Sequence, residues 1–265
     1  MTLLDTSTSG RYARAPLPDG LAVRLTRVTK RYGDGPTVLD DVSLDVGEGE
    51  FVCLLGASGC GKSTLLNLVA GLDQPSAGTV HVLGGRTALM FQEAALLPWL
   101  TAAQNVELAL RLRGAGKRER RRRCAELLDL VRLRDAGGKR VHELSGGMRQ
   151  RVAMARALAQ DSRVLLMDEP FAALDAITRD VLHEELVRLR DSQQLTVLFV
   201  THNVREAVRL GDRVVLLSSR PGRVAQEYPV RIAQPRRIES PEVAGLSVTI
   251  TEDLRTEIRR HGGQS

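Results

Sequence analysis

The segment Gly56, Ala57, Ser58, Gly59, Cys60, Gly61, Lys62, Ser63, Thr64 constrains this chain more than any other. It matches G-x-x-x-x-G-K-[ST] and follows a nearly all-apolar run, Glu50–Leu55 (EFVCLL), that reads as a strand buried on both faces. A helical run, Ser63–Gly71, opens directly behind it and closes on its glycine. Strand, glycine-rich turn and helix in that order make a phosphate cradle. Glycines let backbone N–H groups curl around an anion, and the helix N-terminus adds positive potential. Lys62 is placed to reach β- and γ-phosphates, and the Ser63 hydroxyl to ligate Mg²⁺. With glycine at about 7% of average sequence, a chance match in a chain of this length is on the order of 1 in 100.

The rest of the chain alternates between strand and helix patterns. Leu21–Thr29 and Val42–Val46 alternate apolar and polar residues as half-buried strands do. Thr79–Leu83 and Thr87–Phe91 are expected to form a small hairpin around Gly84 and Gly85. A helical period begins near Ala102, with Val106, Leu110, Ala125, Leu128 and Val131 at three- and four-residue spacings. Apolar strand-like runs return at Arg163–Met167, Thr196–Val200 and Arg213–Leu217, separated by helical stretches Ile177–Arg190 and Asn203–Leu210. The expected fold is α/β: a mostly parallel sheet flanked by helices, a small antiparallel β subdomain, and a helical subdomain inserted at about residues 94–160. Residues 1–20 read as a flexible polar leader, and residues 238–265 as a tail ending in a polar helix, EDLRTEIRRH.

Composition bounds the compartment and the partners. The 265 residues are 43% hydrophobic and 26% charged, and no stretch approaches the ~20 apolar residues of a membrane span. Three scattered cysteines offer neither a disulfide framework nor metal-ligand spacing, which fits a reducing cytosol. Cys53 reads as packing within its strand, and Cys60, beside Lys62 and a helix N-terminus, as the most reactive of the three thiols. A net charge of +6 favours anionic partners without choosing among nucleotide, nucleic acid and an anionic membrane leaflet. Lys117–Arg123 (KRERRRR) reads as the solvated face of a helix, since no aromatic residues are interleaved to stack on bases.

Two further segments carry chemistry. Val164–Asp168 is an apolar run that ends in adjacent acids, Asp168 and Glu169. Successive strand residues point opposite ways, so Asp168 is assigned to Mg²⁺ and Glu169 to polarising an attacking water. Leu144, Ser145, Gly146 and Gly147 open a helix that runs to about Gln160. Ser145 is its cap, and the glycines allow close backbone approach, making a second anion-binding helix end. One nucleotide does not need two such ends in one chain, which points to a site shared between subunits.

With these residues the sequence resembles the ABC ATPases, whose signature is LSGG-x-x-Q. Gln92 matches the glutamine that reaches Mg²⁺ and the attacking water, and Asp175 the loop that crosses the dimer interface. His202 matches the histidine that contacts the γ-phosphate, and Tyr32 the aromatic that stacks on adenine. The resemblance runs from roughly Leu21 to Arg237. It implies an ATPase domain over residues 21–237 that binds ATP and Mg²⁺, with Glu169, His202 and Gln92 as catalytic residues. It also implies a head-to-tail dimer in which Ser145, Gly146, Gly147 and Asp175 act on the nucleotide held by the other copy.

The segments Gln92–Thr101, Glu169–Arg179 and Ser219–Arg223 resemble the nitrate/sulfonate/taurine-type importers. In that group the ATPase is peripheral on the cytoplasmic face of the membrane. It pairs with a separate permease and, indirectly, an extracytoplasmic solute-binding protein. Trp99 then reads either as simple core or as part of the permease contact. Asn203 stands where the family usually has Asp, and Ala172 where it usually has Gly. Two alternatives stay open. A soluble ABC ATPase acting on nucleic acid or ribosomes generally carries long coiled-coil insertions or two cassettes, whereas this chain has one cassette and no sustained heptads. A nucleotide-gated regulator without turnover would not need Glu169 and His202.

Overall fold

Burial along each strand decides which of two sheets it joins. The structure, a computed structural model, describes residues 17–262, so residues 1–16 of the expected leader lie outside the described residues. In β2 (Thr37–Gly47), Val42, Leu44 and Val46 are buried while the residues between them are exposed. It pairs antiparallel with β1 (Leu21–Arg31), whose other edge takes β4 (Ala77–Val82), giving a sheet ordered β2-β1-β4. By contrast β3 (Phe51–Leu55), β6 (Val164–Asp168) and β7 (Thr196–Val200) are buried at every residue. Such strands need cover on both faces, and they form the centre of a six-stranded sheet, β5-β6-β7-β3-β8-β9. Here β5 is Thr87–Met90, β8 is Arg213–Leu217 and β9 is Val224–Pro229; all pairings are parallel except that of β9.

The two-residue period of the central strands divides the core. Phe51, Cys53 and Leu55 join one hydrophobic cluster, and Val52 and Leu54 the other. The second cluster lies between the large sheet, the antiparallel sheet and α1 (Lys62–Ala70), which Gly71 ends in the left-handed conformation. The first cluster holds the inserted helices α2 (Ala102–Leu112), α3 (Lys117–Leu130) and α4 (Gly146–Leu158). It also takes in α5 (Ala176–Gln193), α6 (Val204–Leu210) and α7 (Pro241–Gly262). Among the described residues no helix is long and apolar enough to cross a membrane.

Several expectations are corrected. The hairpin around Gly84 and Gly85 does not form: β4 pairs with β1, and β5 pairs parallel with β6 in the other sheet. The two glycines, at φ 67° and 63°, redirect the chain between sheets. Burial explains the split, because the start of β4 is exposed while β5 sinks Ala88 and Met90 into the first cluster. On α3 the apolar stripe is Cys124, Leu127, Leu128 and Val131, and Ala125 is exposed. The stripe is displaced because Cys124 packs as a small hydrophobe. Arg118, Arg121 and Arg122 of that helix are exposed, Arg122 and Arg123 both pair with Glu126, and the half-buried Arg120 donates to the Ala115 carbonyl. β9 has a single buried residue, Tyr228, and so carries no alternation to read. Trp99 is 66% exposed and is not core.

The tail is more than a polar end. α7 begins at Pro241, ahead of the polar run, and buries Val243, Ser247 and Ile250, one stripe at helical spacing, beside α6. The Tyr228 hydroxyl on β9 donates to Asp253 Oδ2 at 2.7 Å and fixes the helix further. Ile250→Ala is therefore expected to cost about 3 kcal/mol of stability in chemical denaturation. Val248→Ala, at a position 57% exposed on the same helix, is expected to stay within about 0.5 kcal/mol. Equal small effects would show that α7 is not part of the packed core.

Candidate functional site

Parallel strands bring their carboxyl ends to one edge of a sheet, and ligands bind there in open α/β folds. At this edge β3 runs into residues 56–61, which curl back before α1 starts at Lys62. Gly61 is the helix cap, with φ 103°, and a Cβ there would come within 2.7 Å of Leu39 Cδ2, so only glycine fits. Lys62 is buried, and its Nζ donates to the carbonyl oxygens of Gly56 and Ala57, each at 2.8 Å. An ammonium has three donors, and the loop takes all of them, the third reaching the Cys60 sulfur at 3.8 Å.

The loop is also held from outside. Arg220, in the turn between β8 and β9, donates from Nε to the Gly59 carbonyl at 2.9 Å. Gly222 in the same turn hydrogen-bonds β2 at Val38 and Asp40, and a Cβ on it would meet the Cys60 carbonyl at 2.2 Å. The turn is wedged between β2 and the phosphate loop.

Three neighbouring strand ends supply the polar groups. Asp168, the last residue of β6, is buried beside Ser63 and Lys62. Burial lifts its carboxyl above the ordinary aspartate range. The Glu169 charge adds to that rise, and the Ser63 hydroxyl and Lys62 oppose it. Glu169 has a φ of 45°, a left-handed conformation that side chains other than glycine rarely adopt. Its carboxylate accepts a hydrogen bond from His202 Nδ1, just past β7, at 3.2 Å. That bond requires the proton on Nδ1 and leaves Nε2 available. Asn203, in the place of the usual Asp, caps α6 through Oδ1 by accepting from the N–H groups of Arg205 and Glu206.

Gln92 follows β5 and is exposed. Its backbone is tied by Gln150 of α4, whose Nε2 donates to the Gln92 carbonyl at 3.2 Å while its Oε1 accepts from Ala173 N–H at 3.2 Å. These parts enclose a cleft of 680 Å³. Gly56, Ser58, Gly59 and residues 61–64 line it from the loop, and Gln92, Asp168, Glu169 and His202 from the strand ends. Ala57 and Cys60 are not in the lining; Cys60 turns its buried sulfur behind the loop, toward Gly56 and Lys62. Burial of all three cysteines limits the access that a reactive Cys60 would need, and burial raises the thiols of Cys53 and Cys124, the latter to about 11. Thr37 and Val38, which no motif in the sequence marks, also line the cleft, with Pro36 and with Arg220 of the Ser219–Arg223 segment.

Tyr32 stands beside this lining, half exposed. Its hydroxyl donates to Asp73 Oδ2 at 2.8 Å and meets Thr64, and Lys30 Nζ lies 4.6 Å from the ring centroid. Ser145, Gly146, Gly147 and Asp175 are absent from the lining. Ser145 caps α4 by accepting from Met148 N–H at 3.2 Å, and it is exposed, as is Gly146. Asp175 caps α5 by accepting from Thr178 N–H at 2.9 Å, a bond that holds its carboxyl below the ordinary range. The two caps are packed together, because a Cβ on Gly147 would lie 3.0 Å from Leu174. One chain thus carries a phosphate cleft and, away from it, a second exposed pair of helix ends.

Oxygen donors in the cleft suit one hard cation. Ser63, Asp168 and Gln92 offer few protein ligands, and no group of three or more His, Cys, Asp or Glu is arranged for a metal among the described residues. That set fits Mg²⁺, which keeps waters and takes substrate phosphates as ligands.

Comparisons with known proteins agree. A family model described as ABC transporter matches residues 39–172. The taurine import ATP-binding protein TauB of Sinorhizobium fredii is 48% identical over 210 residues, covering 77% of this chain and 79% of that protein. The aliphatic sulfonates import ATP-binding protein SsuB 1 of Mesorhizobium japonicum is 47% identical over 233 residues, covering 86% of each. Among solved structures, the dimeric post-hydrolysis state of the ATP-binding cassette MJ0796 bound to ADP and Pi matches with a TM-score of 0.74 at 36% identity, over 80% of this chain and all 100% of that one. A phosphate cleft at the strand ends, together with a capped helix end that takes no part in its lining, is found here in a chain that these matches cover over most of its length: it belongs to the ABC transporter family, as an ATP-binding cassette.

Proposed function

We propose that this chain is the ATP-hydrolysing subunit of an ABC importer for a small anionic solute of the nitrate, sulfonate or taurine type. Two copies would close head to tail over two ATP molecules and drive separate permease subunits at the cytoplasmic face of the membrane, served by an extracytoplasmic solute-binding protein. The observation that carries the dimer is the exposure of Ser145, Gly146 and Asp175 away from the cleft, at helix ends built to receive an anion or a neighbouring chain. The solute class rests on the printed names of the relatives.

In this reading the triphosphate replaces the loop carbonyls as the partner of Lys62 and takes the loop N–H groups. Mg²⁺, held by Ser63 and Asp168 with Gln92 nearby, would neutralise charge developing on the phosphate oxygens. Glu169 accepts the proton of the attacking water. His202 holds the Glu169 carboxylate through Nδ1–H, and donates to the γ-phosphate from Nε2 when the ring carries both protons. Tyr32 presents its exposed ring face to the adenine, and the partner's Ser145, Gly146 and Gly147 cover the γ-phosphate from the other side. Glu169→Gln keeps the shape of the site but removes its base. It is expected to bind ATP normally, accumulate as an ATP-bound dimer and lose at least about 10²-fold in kcat. Near-normal steady-state hydrolysis would remove Glu169 from this role.

Trp99, two-thirds exposed ahead of α2, is the proposed permease anchor, with the backbone of its segment steadied by Arg140 Nη1 donating to the Trp99 carbonyl at 3.4 Å. It is the only tryptophan, so its fluorescence reports this surface alone. Emission from the free subunit is expected to be red-shifted and quenched by acrylamide, and to shift blue on assembly with the permease. Trp99→Ala is expected to leave stability within about 0.5 kcal/mol while uncoupling transport in the reconstituted complex. A variant that transports normally would place the contact elsewhere.

A further inference from the structure

Behind the carboxyl ends of β6 and β7 lies a buried ionisable pair that no step above uses. His183 of α5 is 0% exposed, and its Nε2 donates to Glu206 Oε1 of α6 at 2.8 Å. Glu206 is 5% exposed, and its other oxygen accepts the hydroxyl of Thr201. Thr201 Oγ1 in turn accepts the N–H of Asn203 at 3.0 Å. The residues on both sides of His202 are therefore held by one hydroxyl, and that hydroxyl is anchored through Glu206 to His183. The ring of His183 also packs edge-on against Phe171, with centroids 4.9 Å apart, and Phe171 lies 5.7 Å from Phe199 of β7. Phe171 is two residues past Glu169, so His183 touches the chain segments that carry both Glu169 and His202.

The chemistry of this pair argues for a role in aiming side chains rather than in packing alone. A carboxylate out of water is costly unless donors meet it, and an apolar trio of similar volume would fill this space as well or better. Glu206 has two donors, Nε2–H of His183 and the Thr201 hydroxyl. Because a carboxylate only accepts, the ring carries its proton on Nε2, and among the described residues the buried Nδ1 has no hydrogen-bond partner. Van der Waals packing does not fix a turn in one rotation; directional bonds at both ends of Thr201 do.

We propose that His183 is a positioning residue for hydrolysis: through Glu206 and Thr201 it sets the 201–203 turn so that His202 stays on Glu169. Because His183 rides on α5, whose N-terminal cap is Asp175, a contact made at that exposed cap by a second copy of the chain reaches His202 through the same link. The inference rests on the ATPase reading above.

The test is steady-state ATP hydrolysis by the full chain carrying His183→Ala, His183→Gln, Thr201→Val or Thr201→Ser. His183→Ala and Thr201→Val break the link and are expected to lower kcat by about tenfold to a hundredfold with KM for ATP changed less than twofold. His183→Gln keeps an amide donor for Glu206, and Thr201→Ser keeps the hydroxyl, so each is expected to recover most of kcat. Should His183→Ala fail to fold, the nearly isosteric Thr201→Val and its Thr201→Ser control decide alone. Nitrogen-15 chemical shifts of His183 give an independent readout: Nε2 protonated and Nδ1 bare at neutral pH. Full kcat in Thr201→Val, or equal losses in Thr201→Val and Thr201→Ser, overturns the proposal. Wild-type chain without ATP turnover, or with turnover unchanged by Glu169→Gln, overturns the underlying ATPase reading instead.

Discussion

A loop that binds phosphate with backbone N–H groups works only if the backbone is held in one curve before the anion arrives. Residues 56–61 are held that way from three directions. Inside, Lys62 bridges the carbonyls of Gly56 and Ala57; at the base, Gly61 packs on Leu39; outside, the β8–β9 turn supplies the Arg220 bond to Gly59 and the Gly222 wedge at Cys60. Both sheets take part, since Leu39 belongs to the antiparallel sheet and the turn to the large one. The small sheet is thus a brace for the loop as well as cover for the core.

Around that fixed loop the remaining groups arrive on strand ends, and this determines what each can do. Parallel strands β5, β6 and β7 place Gln92, Asp168, Glu169 and His202 on one rim without a long side-chain reach. The left-handed turn at Glu169 lets its carboxylate meet His202 while Asp168 stays buried beside Ser63. Gln150 connects the rim to the inserted helices by bonding both Gln92 and Ala173. A displacement of α4 therefore acts on the backbone that carries Gln92, which gives the helical insertion a mechanical route to the cleft.

The parts of this arrangement that were legible in the sequence are those written in contiguous residues. The phosphate loop, the acidic strand end, the serine cap of α4 and the fully apolar strands each depend on neighbours within a few positions. What escaped depends on partners far apart in the chain. Arg220 meets Gly59, and His183 meets Glu206, across separations that no local pattern records. The expected hairpin failed because two short β-prone segments flanking Gly84 and Gly85 carry the same local signal whether they pair with each other or with β1 and β6. The helical signal of the tail lies in its polar half, whereas its packing lies in Val243, Ser247 and Ile250, where small and polar residues dilute the apolar stripe. Residue type alone leaves Trp99 open between core and surface contact, and its exposure on the segment ahead of α2 removes the core reading.

The central claim is that each chain is half of two sites, with its cleft completed by the capped helices of a second copy. Mixing subunits tests it. Lys62→Ala removes the cradle lysine, and Ser145→Arg blocks the cap of α4, so each homodimer is expected to trap no nucleotide. In a purified mixed dimer, the intact cleft of the Ser145→Arg subunit faces the intact helix end of the Lys62→Ala subunit, and the other site carries both lesions. Trapping of one ATP per mixed dimer is the predicted result. No trapping in a mixed dimer whose formation is proven would mean that each chain uses its own signature, and would contradict the shared site.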